Sequence, residues 1–284
     1  MDHTGRPLVC LVTGATGGIG LATAVGLAAS GAHVILGARN QARGASALRA
    51  VAGAAGSDRL EVAVADLSVQ AEVRRMAAEI VAAHPRVDVL VNNAGLVSVR
   101  REETADGFEL TWAVNHLAPF LLTNLLTGLL VASAPARVVT VSSGAHMGAT
   151  LELDDLQFER RRYSALAAYG QSKLANVLFT AELARRLRDS GVTANSLHPG
   201  LVGSDFGSRG GGLVGLGWRL LRPFALSPEK GARTSRYLAT SPEVAGVTGR
   251  YFVGGRRVEP SPLARDPDLA RRLWDVSAAM TGLT

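Results

Sequence analysis

A chain of 284 residues, 47% hydrophobic and 19% charged, is long enough for a large α/β domain with a buried core and has no disordered bias. Its formal charge of +6 comes from arginines spread along the sequence, the densest run being Arg160 to Arg162, so a nucleic-acid partner is not expected. One cysteine, Cys10, excludes an internal disulfide and suits a reducing compartment, so a cytoplasmic location is expected. The polar residues 1–7 do not read as a signal peptide, and no stretch reads as the roughly 20 apolar residues that cross a bilayer, so no integral membrane segment is expected.

Valine-rich apolar runs at 8–13, 33–37, 60–65, 87–91, 137–142, 192–197 and 247–253 read as strands. Helical patterns fill the gaps at about 18–30, 41–53, 69–84, 104–131, 165–190, 228–240 and 264–281. Strands apolar on both faces that alternate with helices predict an α/β fold: a doubly wound parallel sheet of about seven strands in a single domain over 1–284. Two stretches break the rhythm. Residues 144–164 separate a strand end from a helix, and 203–227 combine seven glycines with large apolar residues, among them Phe206, which suggests a lid over an apolar pocket. The rival reading of 203–227 is a segment lying on a membrane surface.

The first strand runs into Thr13-Gly14-Ala15-Thr16-Gly17-Gly18-Ile19-Gly20, and a helix starts at once. Glycines there allow a sharp turn, let backbone N–H groups approach a pyrophosphate, and let the helix pack on the strand. The second strand ends in Gly37-Ala38-Arg39-Asn40, with no acid to hold a ribose 2′-hydroxyl. Arg39 suits a 2′-phosphate instead, so NADP(H) is expected over NAD(H).

Tyr169 and Lys173 stand four residues apart in Tyr-Gly-Gln-Ser-Lys, one helical turn, and so share a helix face. A phenol near pKa 10 is a poor acid or base at neutrality, and a nearby ammonium is expected to lower it. Only two of the 30 Lys+Arg residues are lysine, Lys173 and Lys230. A chain that otherwise uses arginine keeps a compact cation of tunable pKa here.

Taken in order, these motifs resemble the short-chain dehydrogenase/reductase family over nearly the whole chain. The resemblance implies a Rossmann-type sheet in which the Gly14, Thr16, Gly18, Ile19 and Gly20 turn binds the cofactor. It further implies that Asp66 and Leu67 hold the adenine, that Asn93, Ala94 and Gly95 brace the floor beneath it, and that Pro199, Gly200 and Val202 lie beside the nicotinamide. Asn115, Ser143, Tyr169 and Lys173 match the family's catalytic positions, Tyr169 and Lys173 also touching the cofactor. Ser143, His146, Tyr169 and Phe206 are expected around the substrate, and no metal spacing is present.

Tyr169 to Arg186, His198-Pro199-Gly200 and the tail Arg272 to Ser277 are most similar to the retinol-dehydrogenase-like branch, which includes many carbonyl reductases. The 26 positions between Ser143 and Tyr169 fit that branch as well. Two departures are the turn Ala15-Thr16-Gly17 in place of the branch's Ala-Asn-Thr, and residues 1–7 in place of an N-terminal hydrophobic anchor. The resemblance thus implies an NADP(H)-dependent oxidoreductase acting on a small apolar ketone, aldehyde or secondary alcohol, with Tyr169 as acid/base. Alternatives are a catalytically silent NADP sensor or scaffold and a double-bond reductase. Relatives pair as homodimers or homotetramers through the helices at 104–131 and 165–190, where the inserted segment and apolar tail also bear.

Overall fold

Parallel strands with both faces apolar need helices on both sides, and the chain supplies them in alternation. The computed structural model describes residues 5–201 and 226–283. In chain order these form β1 Val9–Val12, α1 Gly18–Ala29, β2 His33–Ala38, α2 Gln41–Ala55, β3 Leu60–Val64, α3 Gln70–Ala83 and β4 Val89–Asn92. They continue with α4 Leu110–Ala132, β5 Ala136–Val141, α5 Ala165–Arg186, β6 Val192–His198, α6 Pro228–Thr240, β7 Tyr251–Val253, β8 Arg256–Val258 and α7 Pro267–Thr281. Val202, Phe206 and the expected lid up to residue 225 lie outside the described residues.

The sheet order is β3-β2-β1-β4-β5-β6-β7-β8, parallel except for β8. Alternate residues serve opposite cores. Leu11, Ile35, Leu90 and Val138 pack toward α3, α4 and α5, while Val12, Leu36, Val91 and Val139 pack toward α1 and α6. Strand order reverses between β1 and β4, and the crevice at their carboxyl ends is where such sheets bind ligands.

The sheet of about seven strands expected from the sequence is present, with a short antiparallel eighth reached through Gly254 and Gly255 at φ +58° and +76°, the left-handed pair a tight hairpin turn requires. Two expectations need correction. The fourth helix starts at Leu110, not near 104. Gly107 at φ +78° makes a turn, and the Glu109 carboxylate caps the helix by accepting from the N–H groups of Thr111 (2.9 Å) and Trp112 (2.7 Å). That helix is also 23 residues long and apolar enough by composition to cross a membrane, contrary to the expectation that no stretch is. Its apolar 18-residue window is 67% buried inside the fold, as in the core helix of a globular domain.

The apolar tail packs against both of the helices α4 and α5. Helix α7 lies along α5, and the Trp274 ring sits 4.9 Å from Phe120 of α4 and 5.8 Å from Phe179 of α5, centroid to centroid. The Arg186 guanidinium stacks over it at 4.3 Å. Beneath, Ser277 Oγ bonds His116 Nε2 at 2.8 Å, and burial pushes that imidazole down to about 3, so it packs as a neutral ring. Subunit pairing through this part of α4 and α5 has to displace Trp274. Truncating the half-buried Trp274 to Ala is expected to lower stability by about 2–3 kcal/mol, somewhat below the figure for a fully enclosed Trp. An unchanged denaturant midpoint would contradict this packing.

Candidate active site

The glycine turn is built for close approach. A Cβ on Gly20 would lie 2.2 Å from the Gly14 carbonyl oxygen and 2.4 Å from Asn93 Nδ2, and one on Gly14, at φ +65°, 2.9 Å from Ala94 Cα. Thr13 ties the turn to the end of β4. Its Oγ1 accepts from the N–H groups of Asn93 (3.0 Å) and Ala94 (3.1 Å) and donates to Val91 O (3.3 Å), while Asn93 Nδ2 donates to Thr13 O at 2.8 Å. The sequence motif begins at Thr13 but gives its hydroxyl no role; the hydroxyl is the centre of this knot. Gly17, by contrast, faces open space, and no side chain caps the first-turn N–H groups of α1. Uncapped donors at a helix N-terminus are what a pyrophosphate needs.

The turn opens onto a cleft of about 1070 Å³. Gly14, Thr16, Gly18, Ile19 and Gly20 line one end. Arg39 is exposed at the end of β2, and Arg43, one helical turn on, also lines the cleft, a second cation that the reading of β2 passed over. Asn40 between them is engaged as the cap of α2, accepting the Arg43 N–H at 3.0 Å. Asp66 and Leu67 close this side; the Asp66 carboxylate accepts from Ser68 N–H (2.9 Å) and Oγ–H (2.7 Å), which fixes the loop.

At the other end the strand ends bring together Ser143, Tyr169, Lys173, Pro199 and Gly200. Ser142 Oγ donates to the Lys173 carbonyl at 2.7 Å, and Lys173 Nζ donates to Val141 O at 3.0 Å, so α5 is stitched to the end of β5. Gly170 permits the contact on the neighbouring turn, where a Cβ would meet Ala145 O at 3.1 Å. Gly200, at φ +87°, lies under Leu226.

Burial dominates the electrostatics of the pair. It pushes Tyr169 up to about 12, the Ser143 hydroxyl bonded to the phenol offsetting this in part. Lys173 is 3% exposed, and burial pushes it down to about 8. The net shift of Tyr169 is thus upward, opposite to the lowering expected from Lys173: burial prevails over an ammonium that lies 5.6 Å from the ring centroid and is itself poorly solvated.

Two expected site residues stand behind the cleft rather than in it. Asn115 is fully buried in a π-helical turn, Ala113–Leu117, of α4. Its Oδ1 accepts the Leu96 N–H (2.8 Å), and its Nδ2 donates to Leu96 O (2.9 Å) and Ser172 Oγ (3.0 Å). A Cβ on Gly95 would lie 3.2 Å from Asn115 Oδ1 and 3.3 Å from Lys173 Nζ, so Asn115 borders the lysine through a gap that only glycine leaves open. His146, expected beside the substrate, is 0% exposed and does not line the cleft, since its ring is folded under the Ser143 turn against Tyr251 at 4.8 Å. Leu96, Val97, Val99, Leu110, Val114 and Leu201 supply an apolar mouth next to Ser143 and Tyr169.

This arrangement has many counterparts. The short chain dehydrogenase family profile matches residues 8–209. Human retinol dehydrogenase 13 is 43% identical over 282 residues, covering 96% of this chain and 84% of the relative. Human retinol dehydrogenase 14 is 45% identical over 294 residues, covering 96% and 86%. The chain belongs to the short-chain dehydrogenase family.

Its fold matches solved structures too. An uncharacterised protein of Mycobacterium paratuberculosis is 34% identical with a TM-score of 0.78, covering 98% of this chain and 96% of that one. A Beutenbergia cavernae protein, named provisionally as an NAD(P)-dependent gluconate 5-dehydrogenase and holding NADP at low occupancy, is 28% identical with a TM-score of 0.68, covering 87% and 94%. As a short-chain dehydrogenase, the protein is an oxidoreductase that uses a nicotinamide cofactor, and its uncapped α1 N-terminus and open Gly17 fit one.

A short-chain dehydrogenase that buries Lys173 holds a charge the fold itself disfavours. Its folded pKa lies below the unfolded 10.5, so the unfolded chain binds more protons between about pH 8 and 10.5, and this contribution to stability rises with pH across that window. Lys173→Met removes the desolvated ammonium and is expected to be more stable than the parent at pH 7 by about 1–2 kcal/mol. The difference should shrink toward pH 10. A variant less stable at pH 7, or a difference independent of pH in denaturant titrations, would contradict the burial argument.

Proposed function

We propose that this short-chain dehydrogenase is an NADP(H)-dependent oxidoreductase that interconverts apolar ketones or aldehydes and their alcohols, with Tyr169 as general acid/base. The observation that carries the reading is the convergence of Ser143, Tyr169 and Lys173 at an apolar mouth on the same cleft as the glycine turn. Bound there, the nicotinamide supplies or accepts the hydride. The chain's own groups handle the oxygen. In reduction, Ser143 Oγ and the Tyr169 hydroxyl donate to the substrate carbonyl oxygen, and Tyr169 gives up its proton as negative charge develops there. A phenol raised to about 12 is protonated at neutral pH and ready to act as that acid. Lys173, positively charged below about pH 8, stabilises the phenolate left behind, and Asn115 supports Lys173 across the Gly95 gap.

Arg39 supports NADP(H) over NAD(H): it lines the cleft at the end of β2 where no carboxylate stands, and Arg43 adds to the positive field. The apolar mouth supports the substrate class. The retinol dehydrogenases among its relatives suggest that a retinoid aldehyde belongs among the compounds tried. A cytoplasmic location is supported by the lone cysteine, Cys10, which leaves the chain without an internal disulfide. A homodimer or homotetramer that paired through α4 and α5 would have to accommodate α7, whose Trp274 already covers Phe120 and Phe179.

The test is NADPH oxidation at 340 nm with medium-chain aldehydes, aromatic ketones and retinal. Tyr169→Phe is expected to lose at least about 100-fold in turnover while NADPH binding persists. Full activity in that variant would overturn the acid/base assignment, and tight binding with no turnover on any compound would favour a sensing role. Arg39→Asp should swing the ratio of NADPH to NADH affinities toward NADH by about 10-fold or more, the loss of one charge-assisted contact; an unchanged ratio would remove the cofactor assignment.

A further inference from the structure

Two histidines that the reaction does not use converge on one peptide bond. His146 Nδ1 lies 2.7 Å from the carbonyl oxygen of Ser143, and the N–H of Gly144, on the other side of the same peptide unit, donates to His198 Nδ1 at 3.1 Å. A carbonyl oxygen only accepts, so His146 carries its proton on Nδ1. Its Nε2 is then bare, as it must be to accept the N–H of Ser261 at 3.3 Å. His198 must present a bare Nδ1 to Gly144, so its proton sits on Nε2. Burial holds both imidazoles below their ordinary range, consistent with neutral rings. Ser143 itself stands in extended backbone at φ −159°, ψ 157°, and its Oγ accepts the Ala145 N–H at 3.2 Å. That bond leaves the hydroxyl proton for donation to Tyr169.

We propose that His146 and His198 are positioning residues that, as neutral imidazoles in opposite tautomers, clamp the two polar atoms of the Ser143–Gly144 peptide and so set the Ser143 hydroxyl against Tyr169. The clamp ties the catalytic turn to the last residue of β6 on one side and to the stretch before α7, through Ser261, on the other. It rests on the proposed role of Ser143 for its functional meaning, but its geometry is testable without any substrate.

The chain has six histidines and four tyrosines, few enough to resolve by selective labelling. Long-range proton–nitrogen correlation on histidine-labelled protein near pH 7.5, assigned with His146→Asn and His198→Asn, is expected to show His146 as the Nδ1–H tautomer and His198 as the Nε2–H tautomer. Either ring in the other tautomer, or charged, overturns the proposal. The second readout is the Cζ carbon signal of Tyr169, assigned with Tyr169→Phe. Ser143→Ala removes the hydrogen bond to the phenol and should move that signal. His198→Phe should move it in the same direction, and His198→Asn, whose side-chain oxygen can stand near the Nδ1 position, should restore most of the shift. Adding His198→Phe to Ser143→Ala should produce no further shift, because the clamp acts through Ser143. A signal unmoved by His198→Phe, or moved equally by it in the Ser143→Ala background, contradicts the clamp. A clamp seen by NMR in a protein that turns over no carbonyl would leave this inference standing and count only against the proposed function.

Discussion

The seam between the end of β5 and α5 governs the candidate site. Ser142 Oγ on the Lys173 carbonyl, Lys173 Nζ on Val141 O, and the close approach of Ala145 O to Gly170 are three consecutive contacts along it. Each is short enough that the helix cannot slide a residue without breaking all three. Tyr169 and Ser143 come from opposite sides of this seam, so their meeting is a consequence of it. Ser142, the less conspicuous of the two serines, is thus the one that holds the site together.

The second constraint is desolvation. A phenol and an ammonium are placed together in a wall of the cleft where burial raises one pKa and lowers the other, moving both away from their charged forms. The protein's own groups do not form a tyrosinate–lysine ion pair. They form a neutral acid beside a cation that is readily deprotonated, an arrangement suited to giving a proton to an oxygen that gains charge. The same burial makes Lys173 a liability to the fold, as is common where catalytic groups are held in unfavourable surroundings.

Much of this was legible in the sequence because the site is assembled from strand ends. Thr13 to Gly20, Asn93 to Gly95, Ser142-Ser143 and Pro199-Gly200 are each local signatures, and a parallel sheet brings the carboxyl ends of its strands to one edge without further instruction. What escaped depends on contacts between distant residues. The π-helical turn at Asn115 exists where its amide reaches Leu96, and Glu109 is a cap only because the chain turns at Gly107. His146 stands three residues past Ser143 in sequence, yet the short helical turn at Gly144–Gly148 folds it under the loop, away from the cleft. Strand β8 carries the exposed Arg256-Arg257-Val258, which has none of the apolar pattern that marked the others, although Gly254-Gly255 was a usable hairpin signal. Arg43 lies inside α2, beyond the strand end that carries Arg39, and reaches the cleft only because Asn40 starts that helix at once.

The central claim is chemical: the proton held by Tyr169 goes to an oxygen, not to a carbon. An α,β-unsaturated aldehyde such as cinnamaldehyde offers both a carbonyl and a double bond, and the decisive measurement is the product formed from it with NADPH in deuterium oxide. The expected product is the unsaturated alcohol with no carbon-bound deuterium, because the solvent-derived proton resides on the hydroxyl and exchanges. A saturated aldehyde carrying deuterium on carbon would contradict the account and assign the same site to double-bond reduction.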